Sequence, residues 1–314
     1  MAYDVLLTVL GLALVAKGGD LFVDASVFIG RVFRVPRFII GGTLVSLATT
    51  TPELAVSAIA SSSGDSGIAL GNAIGSCICN IGLIVGTVAL LTQVEVEPRE
   101  FARRSAWMVS AGVLLVAFTW SGTLGRGPAM VLLALAVAYL AWDYLGIRAR
   151  RRDEGDDPTV EDRTGLPRHV GVFALGAVLI LLGSNLLVDA GSALAVDLGV
   201  PSIVIGLTVV AVGTSLPELV TGLSAARKGV PDLSLGNIIG ANILNIFLVV
   251  GLSGTIRPLT IDRFTQIYSF GWLGLFFAAA VALPARTGRF HRRGGAILLG
   301  GWVAYVAGLA ILGG

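Results

Sequence analysis

The chain has 314 residues, of which 55% are hydrophobic and only 13% are charged, and its mean hydropathy is +0.86. This composition lies outside the range of soluble globular domains and is typical of an integral membrane protein. The formal net charge of +2 is too small to indicate a nucleic-acid-binding protein, and the basic residues are spread between apolar stretches.

Ten apolar stretches are each long enough to cross a bilayer, since a membrane-spanning helix needs about 20 residues. We predict spans at residues 5–28, 37–60, 67–92, 106–122, 129–147, 170–194, 202–225, 233–254, 267–284 and 295–313. No basic segment precedes the first span, so we interpret it as a retained helix and not as a cleaved signal peptide. The expected fold class is an all-α polytopic membrane protein with ten transmembrane helices.

The second predicted span contains TTTPEL at residues 49–54, in which an ionisable glutamate follows a helix-breaking proline. Pro52 has no N–H and its ring clashes with the carbonyl four residues earlier, so we expect a kinked helix with free carbonyl oxygens. An ionised Glu53 at the centre of a membrane costs on the order of 3 kcal/mol, which indicates that a cation or a proton compensates it. The hydroxyls of Thr49 and Thr50 supply further oxygens.

The third predicted span contains GNAIGSCICNIG at residues 71–82, where Ser76 and Asn80 lie four residues apart on one helical face. We interpret Asn80 as a cation ligand, with an interhelical hydrogen bond as the alternative. Gly71 and Gly75 repeat at the spacing that lets membrane helices approach closely, so packing is their expected role.

A polar segment at residues 147–169 separates the fifth and sixth predicted spans. Its sequence, IRARRRDEGDDPTVEDRTGLPRH, is typical of a solvated cytoplasmic linker. We therefore divide the chain into a first five-helix half at residues 1–146, this linker, and a second five-helix half at residues 170–314. A regulatory role for the linker is the alternative.

The two halves are copies of each other. Shifting the sequence by 165 residues aligns residues 18–86 with residues 183–251 without a gap, and 28 of the 69 aligned positions are identical. The second copy contains TSLPEL at residues 214–219 and GNIIGANILNIF at residues 236–247. The residues that match Thr49, Thr50, Glu53 and Asn80 are, in that order, Thr214, Ser215, Glu218 and Asn245.

An offset of five spans, an odd number, makes the second copy cross the membrane in the opposite sense. Such inverted repeats are typical of secondary transporters, in which the substrate site lies where the repeats meet near the bilayer midplane. Of the 22 Lys and Arg residues, 18 fall in connections on one side and three in connections on the other, with Lys17 inside the first span. Because cytoplasmic loops are rich in Lys and Arg, we predict an N-out/C-out topology.

The paired motifs together offer carboxylate, carbonyl, hydroxyl and amide oxygens, of which a hard cation such as Ca²⁺ takes six to eight. They resemble the cation/Ca²⁺ exchanger superfamily, and in particular its prokaryotic Na⁺/Ca²⁺ exchangers. The resemblance rests on GGTLVSLATTTPEL with LGNAIGSCICNIG in the first half and on GLTVVAVGTSLPEL with LGNIIGANILNIF in the second.

This resemblance implies that the second, third, seventh and eighth helices enclose a row of cation sites. It also implies that one Ca²⁺ is exchanged for several Na⁺ by alternating access. The implied ligands are Thr49, Thr50, Glu53, Ser76, Asn80, Thr214, Ser215, Glu218 and Asn245, with backbone carbonyls near Ser46 and Ala211.

Two positions depart from the family pattern. Ala241 stands where the first copy has Ser76, so one hydroxyl is missing, and Asn245 stands where some members carry aspartate. In the potassium-dependent branch an acid at that position is associated with K⁺ coupling, so Asn245 argues against a K⁺ requirement. Proton-coupled members carry a Gly-Asn-x-x-Glu arrangement that TTTPEL and TSLPEL lack, so the resemblance favours Na⁺ over H⁺.

We therefore predict a secondary active antiporter that exchanges Ca²⁺ for Na⁺ in the prokaryotic cell (inner) membrane. It needs the lipid bilayer and the transported ions, but no cofactor, nucleic acid or obligate protein partner. The alternatives are an H⁺/Ca²⁺ exchanger and a cation channel, since channels also use oxygen-lined sites. An intramembrane enzyme is disfavoured because we find no HExxH or other nucleophile–base motif. Asp24 and Asp189 occupy matching positions, and we leave open whether they support the site or make structural hydrogen bonds.

Overall fold

The structure is a computed structural model that describes residues 2–153, 165–197 and 211–312. The α-helices of the first half are Ala2–Val32, Arg37–Ile40, Ser46–Thr49, Thr51–Ser63, Ser66–Cys79, Gly86–Leu91, Pro98–Thr119 and Arg126–Asp153. Those of the second half are Leu166–Asp197, Ala211–Thr214, Leu216–Arg227, Pro231–Leu244, Gly251–Ile256, Phe270–Ala285 and Arg292–Leu312. The π-helical turns Gly41–Val45, Asn80–Val85, Asn245–Val250 and Thr265–Ser269 continue neighbouring α-helices.

Within the described residues, these helices account for up to nine of the ten predicted membrane spans. In the described residues, eight helices are long and apolar enough to cross a membrane, and a ninth span results if one bent pair is counted as a single span. Spans 1 to 5 are Tyr3–Val32, 37–63, Ser66–Leu91, Pro98–Thr119 and Arg126–Arg148, and spans 6, 8, 9 and 10 are Leu166–Leu187, Pro231–Ile256, Thr265–Ala285 and Arg292–Leu312.

The predicted seventh span and the predicted linker lie partly outside the described residues. Span 7 is described from residue 211 onward, as the helices Ala211–Thr214 and Leu216–Arg227. The linker at 147–169 begins inside the helix Arg126–Asp153, and its residues 154–164 are not described.

Spans 2 and 7 are broken at matching positions. In span 2 the helix is interrupted at Thr50 and its two parts are bent by 42°, while Ser215 interrupts span 7. The backbone ψ is −3° at Thr50 and 8° at Ser215, between the helical and extended regions. Pro52 and Pro217 lie in the first turn of the helix that follows, where a missing N–H costs no hydrogen bond. The break that TTTPEL predicts in span 2 is present, and TSLPEL interrupts span 7 in the same way.

Spans 3 and 8 carry matching π-helical turns. The turns Asn80–Val85 and Asn245–Val250 each begin at a predicted ligand asparagine. A π turn departs from the regular α-helical hydrogen bonding and is frequent at functional sites. Asn80 and Asn245 therefore both lie where an α-helix passes into a π-helical turn.

Spans 2 and 8 pack backbone against backbone. A Cβ atom added at Gly236 would collide with the carbonyl oxygen of Phe38, and one added at Gly240 would collide with that of Gly42. Only glycine fits at such close approach, so Gly236 and Gly240, which match Gly71 and Gly75 in the repeat, let the two helices pack closely. No described atom lies within 4 Å of a Cβ added at the two matching glycines of span 3.

Two short antiparallel ribbons tie the connecting loops together. Val94–Glu95 pairs with Arg289–Phe290, which joins the loop between spans 3 and 4 to the loop between spans 9 and 10. Thr123–Leu124 pairs with Leu259–Thr260, which joins the loop between spans 4 and 5 to the loop between spans 8 and 9. Each ribbon thus joins two loops that the predicted topology assigns to the same side of the membrane.

A buried ion pair connects spans 4 and 5. Arg104 Nη2 donates to Asp143 Oδ1 at 2.5 Å, and Arg104 Nη1 donates to the hydroxyl of Tyr139 at 2.8 Å. The Tyr139 hydroxyl donates in turn to the carbonyl of Gly42 in span 2 at 2.9 Å. The helix of span 4 begins at Pro98 and not near residue 106. Arg104 lies inside this helix and is fully buried. It is one of the 18 basic residues that the predicted topology assigns to connections on the cytoplasmic side, and for Arg104 a place in a connecting loop is wrong.

Candidate cation-binding site

The matching segments of spans 2, 3, 7 and 8 meet in one buried region. The π turn of span 8 packs against the helices of spans 2 and 3, and the segment Ala211–Thr214 of span 7 packs against span 3. Glu53 of span 2 and Glu218 of span 7 are both 0% exposed and are close enough to interact electrostatically. The two glutamates of the repeat therefore face a common interior.

The Glu53 carboxylate has a single hydrogen bond. Ser76 Oγ donates to Glu53 Oε1 at 3.4 Å, and Glu53 Oε2 has no partner among the described residues. Asn72 Nδ2 donates to the Glu53 backbone carbonyl at 3.1 Å and to Ser57 Oγ at 2.9 Å. Span 3 thus holds the helical turn that carries the glutamate, while most of the carboxylate's capacity to accept hydrogen bonds is left unused.

The Glu218 carboxylate is more isolated still. In the described part of the chain neither of its oxygens has a hydrogen-bond partner, and the ion pairs found there involve neither Glu218 nor Glu53. Burying an ionised carboxylate without a partner destabilises the folded protein by roughly several kcal/mol, even after its surroundings relax. Glu218 is therefore stable in this position when a cation or a proton neutralises it.

Neutral oxygens without partners lie on the same four spans as the two glutamates. Buried side-chain oxygens that make no hydrogen bond within the described residues are Thr50 Oγ1, Ser215 Oγ, Asn80 Oδ1 and Asn245 Oδ1. With the glutamates they form three pairs of residues matched by the repeat, and the other unpaired buried atoms of the described chain form no such set. Because folded proteins pair nearly all buried polar atoms, this concentration of free oxygens is a feature to expect of an ion-binding cavity.

The other predicted ligands are placed differently. Thr49 Oγ1 lies 3.1 Å from Asn237 Oδ1 and 3.4 Å from the carbonyl of Ser46. That carbonyl also accepts from the Thr50 N–H at 2.9 Å. Thr214 is half-buried. Ala211 begins the described part of span 7. Thr49 and Ser46 are thus partly satisfied by protein groups, unlike Thr50.

The donor set favours hard cations. In the ranges that the structure describes, no group of three or more His, Cys, Asp or Glu side chains could hold a metal ion. Two carboxylates with hydroxyl and amide oxygens instead suit Ca²⁺ and similar cations, whereas thiols and imidazoles suit transition metals. Cys77 and Cys79 are buried free thiols in span 3.

Two buried asparagines of span 8 belong to the site region although their sequence motif did not mark them as ligands. Asn237 contacts the Thr49 hydroxyl, and Asn242 Oδ1 accepts from Asn80 Nδ2 at 3.0 Å. The repeat did indicate Asn237, because an asparagine, Asn72, stands at the matching position of the first copy. It did not indicate Asn242, because the matching residue is Cys77.

Asp24 and Asp189 lie away from this region. Asp24 accepts from Lys228 Nζ at 2.6 Å, and its side chain is 64% exposed. Asp189 is also exposed. For Asp24 the alternative of a structural hydrogen bond is the correct one.

Known proteins resemble the chain in sequence and in fold. The family model described as sodium/calcium exchanger protein matches residues 3–145 and 168–310. The sodium/calcium exchanger MaX1 of Methanosarcina acetivorans is 33% identical over 302 residues, which cover 84% of this chain and 86% of that protein. The inner membrane protein YrbG of Escherichia coli is 36% identical over 308 residues, which cover 96% and 95%. A solved structure of the sodium-calcium exchanger NCX_Mj soaked with Na⁺ and Sr²⁺ has a TM-score of 0.82 at 30% identity and covers 97% of both chains.

Proposed function

This chain belongs to the sodium/calcium exchanger protein family, and on that premise we propose that it exchanges Ca²⁺ for Na⁺ by alternating access. It is a membrane transporter and not an enzyme, and its place is the prokaryotic inner membrane.

One observation carries the proposal. Glu53 and Glu218 are fully buried and near each other, and three of their four carboxylate oxygens have no hydrogen-bond partner in the described chain. Matching pairs of unpaired hydroxyl and amide oxygens lie on the same four helices. These groups would be costly in an apolar interior unless a cation binds there, because buried oxygens lose their hydration without gaining a partner.

The charges fit an exchange of Ca²⁺ for Na⁺. Two ionised carboxylates are neutralised by one Ca²⁺ or by two Na⁺, and Na⁺ is close to Ca²⁺ in size, so the same oxygens suit both ions. The neutral oxygens of Thr50, Ser215, Asn80 and Asn245 offer room for a further Na⁺. If more than two Na⁺ exchange for one Ca²⁺, a membrane potential of 100 mV contributes about 2.3 kcal/mol for each net charge moved.

The helix arrangement supports access from alternate sides. Spans 2 and 7 are both broken beside a glutamate, and broken helices near the midplane are a common feature of transporters built from inverted repeats. The two loop ribbons each join loops assigned to one side in the ten-span, N-out/C-out topology. We infer from this that the halves at residues 1–146 and 170–314 are inverted copies joined by the linker at 147–169.

Proton coupling is the alternative that shares most of this geometry. A proton needs only a carboxylate, so it would leave the unpaired oxygens of Thr50, Ser215, Asn80 and Asn245 without a role. Na⁺ uses them, because a dehydrated alkali cation requires several neutral oxygens besides a charge. The oxygen set therefore favours Na⁺ as the coupling ion, and the amide at Asn245 favours a transporter without a K⁺ requirement.

Uptake of ⁴⁵Ca²⁺ into proteoliposomes tests the coupling ion. Vesicles preloaded with Na⁺ and diluted into Na⁺-free buffer should accumulate Ca²⁺ at clamped pH, and vesicles preloaded with Li⁺ or choline should not. Uptake that follows an imposed pH gradient in Na⁺-free buffer would assign the protein to proton coupling. Uptake that needs no counter-ion would indicate a channel.

A further inference from the structure

The side-chain amide of Asn242 connects a predicted cation ligand to a peripheral helix. Asn242 Oδ1 accepts from Asn80 Nδ2 at 3.0 Å, and Asn242 Nδ2 lies 3.9 Å from the sulfur of Met108 in span 4. Asn80, Asn242 and Met108 are all 0% exposed. Asn80 Oδ1, the other end of the first amide, has no partner within the described residues.

The direction of this chain of contacts is set at Met108. A thioether sulfur accepts hydrogen bonds weakly and has no hydrogen to donate, so the NH₂ end of the Asn242 amide faces it. The carbonyl end of Asn242 must then face Asn80, and it can accept only from the NH₂ end of that residue. Asn80 is left with its carbonyl oxygen turned away from Asn242 and unpaired.

This direction matters for a cation. An amide oxygen binds a cation, whereas an amide NH₂ group repels it and competes with it by donating to a carboxylate. If the Asn80 amide were free to turn, its NH₂ group could donate to an unpaired carboxylate oxygen of the site. A cation would then have to displace that hydrogen bond before it could bind.

We propose that Asn242 is a positioning residue that keeps the carbonyl oxygen of Asn80 available to the cation. The proposal rests on the proposed function, since it takes the site to bind Ca²⁺. Asn242 touches no cation itself and acts through Asn80. Met108 supports it by holding the NH₂ end of Asn242.

The second half of the site differs at the matching position. The residue that matches Asn242 is Cys77, whose thiol donates to the backbone carbonyl of Asn242 at 3.7 Å. The contact between two side-chain amides, Asn80 and Asn242, therefore has no counterpart made of two amides in the second copy.

A double-mutant cycle on purified protein tests this role. Asn242→Leu removes the orienting carbonyl and keeps the branched shape and the number of heavy atoms of the side chain. Ca²⁺ affinity at equilibrium should fall roughly tenfold, the value of a hydrogen bond to a charged group that the cation must displace. In the Asn80→Asp background the same change should not weaken Ca²⁺ binding, because a carboxylate presents oxygen at both ends. Met108→Leu, a nearly volume-conserving change, should weaken binding in the same direction by a smaller factor.

Equal losses in the wild-type and Asn80→Asp backgrounds would overturn the proposal, because they would indicate a packing defect and not a lost orientation. If Asn242→Leu does not fold, Met108→Leu measured in both backgrounds replaces it. Equilibrium Ca²⁺ binding does not require transport, so its result stays separate from that of Na⁺-driven uptake. Wild-type protein that binds Ca²⁺ without Na⁺-driven uptake would contradict the exchange and leave the positioning of Asn80 intact.

Discussion

Replacing Glu218 by Gln should weaken Ca²⁺ binding far more than Na⁺ binding. The change keeps the size of the side chain and removes one of the two negative charges of the proposed site. Both oxygens of Glu218 lack a hydrogen bond among the described residues, and the amide oxygen of Gln can still accept from the nearby Thr49 hydroxyl. Its effect on binding therefore reports the contact with the ion.

The expected loss follows from burial and from charge. Removing one partner of a fully buried charge pair costs about 3–5 kcal/mol, which is roughly two to three and a half orders of magnitude in affinity. Glu218 is 0% exposed, so solvent does not screen its interaction with the ion and the full loss is expected. Because electrostatic energy scales with the charge of the ion, Ca²⁺ loses about twice as much as Na⁺. The empty protein should be at least as thermostable as the wild type, since an unpaired buried charge is gone.

Equilibrium ⁴⁵Ca²⁺ binding and ²²Na⁺ binding to the purified variant are the assays, with thermal unfolding as a check of folding. Glu95→Gln is the matched control, because Glu95 is exposed in a loop ribbon and its replacement should change neither affinity. A folded Glu218→Gln protein that binds Ca²⁺ as tightly as wild type would refute the assignment of this carboxylate. Equal losses for Ca²⁺ and Na⁺ would refute the charge reasoning.

Three further results are expected. Cysteines at Ser62 and Arg227, which are exposed and matched by the repeat, should react with an impermeant maleimide from opposite sides of the membrane, and labelling from one side would contradict the inverted topology. Arg104→Met should lower the free energy of unfolding by about 3–5 kcal/mol, because it leaves Asp143 buried without its partner. Adding Asp143→Leu should restore most of the loss, and a double variant that unfolds at the temperature of Arg104→Met would contradict this explanation. Gly240→Ala should destabilise the protein, because the added Cβ meets the backbone of span 2. Gly300→Ala is the control, since a Cβ there meets nothing within 4 Å, and it should be neutral or stabilising. Equal melting temperatures for the two variants would disprove the close packing of spans 2 and 8.

Features that depend on neighbouring residues in the chain could be predicted from the sequence. Apolar stretches of sufficient length predicted the spans, because a helix in a bilayer satisfies its own backbone hydrogen bonds. Pro52 predicted the break in span 2, since proline acts on its own helix. The match between Glu53 and Glu218 indicated a shared interior before any contact was visible.

Features that depend on contacts between distant segments could not be predicted in this way. The π turns at Asn80 and Asn245 have no compositional signal in the sequence. The pairing of Arg104 with Asp143 joins residues of two different spans, and the sequence around either residue does not identify its partner. Asn242 could not be found from the repeat, because Cys77 stands at the matching position and the role of Asn242 depends on Met108 of another helix.

Coupling of ²²Na⁺ release to external Ca²⁺ tests the central claim most directly. Proteoliposomes loaded with ²²Na⁺ are diluted into Na⁺-free buffer at clamped pH, and Ca²⁺ is then added outside. Wild-type protein should release ²²Na⁺ only after Ca²⁺ is added, and Glu53→Gln and Glu218→Gln proteins should not release it in response. Release of ²²Na⁺ that is independent of Ca²⁺, or Ca²⁺-dependent release that survives both substitutions, would contradict exchange at this pair of glutamates.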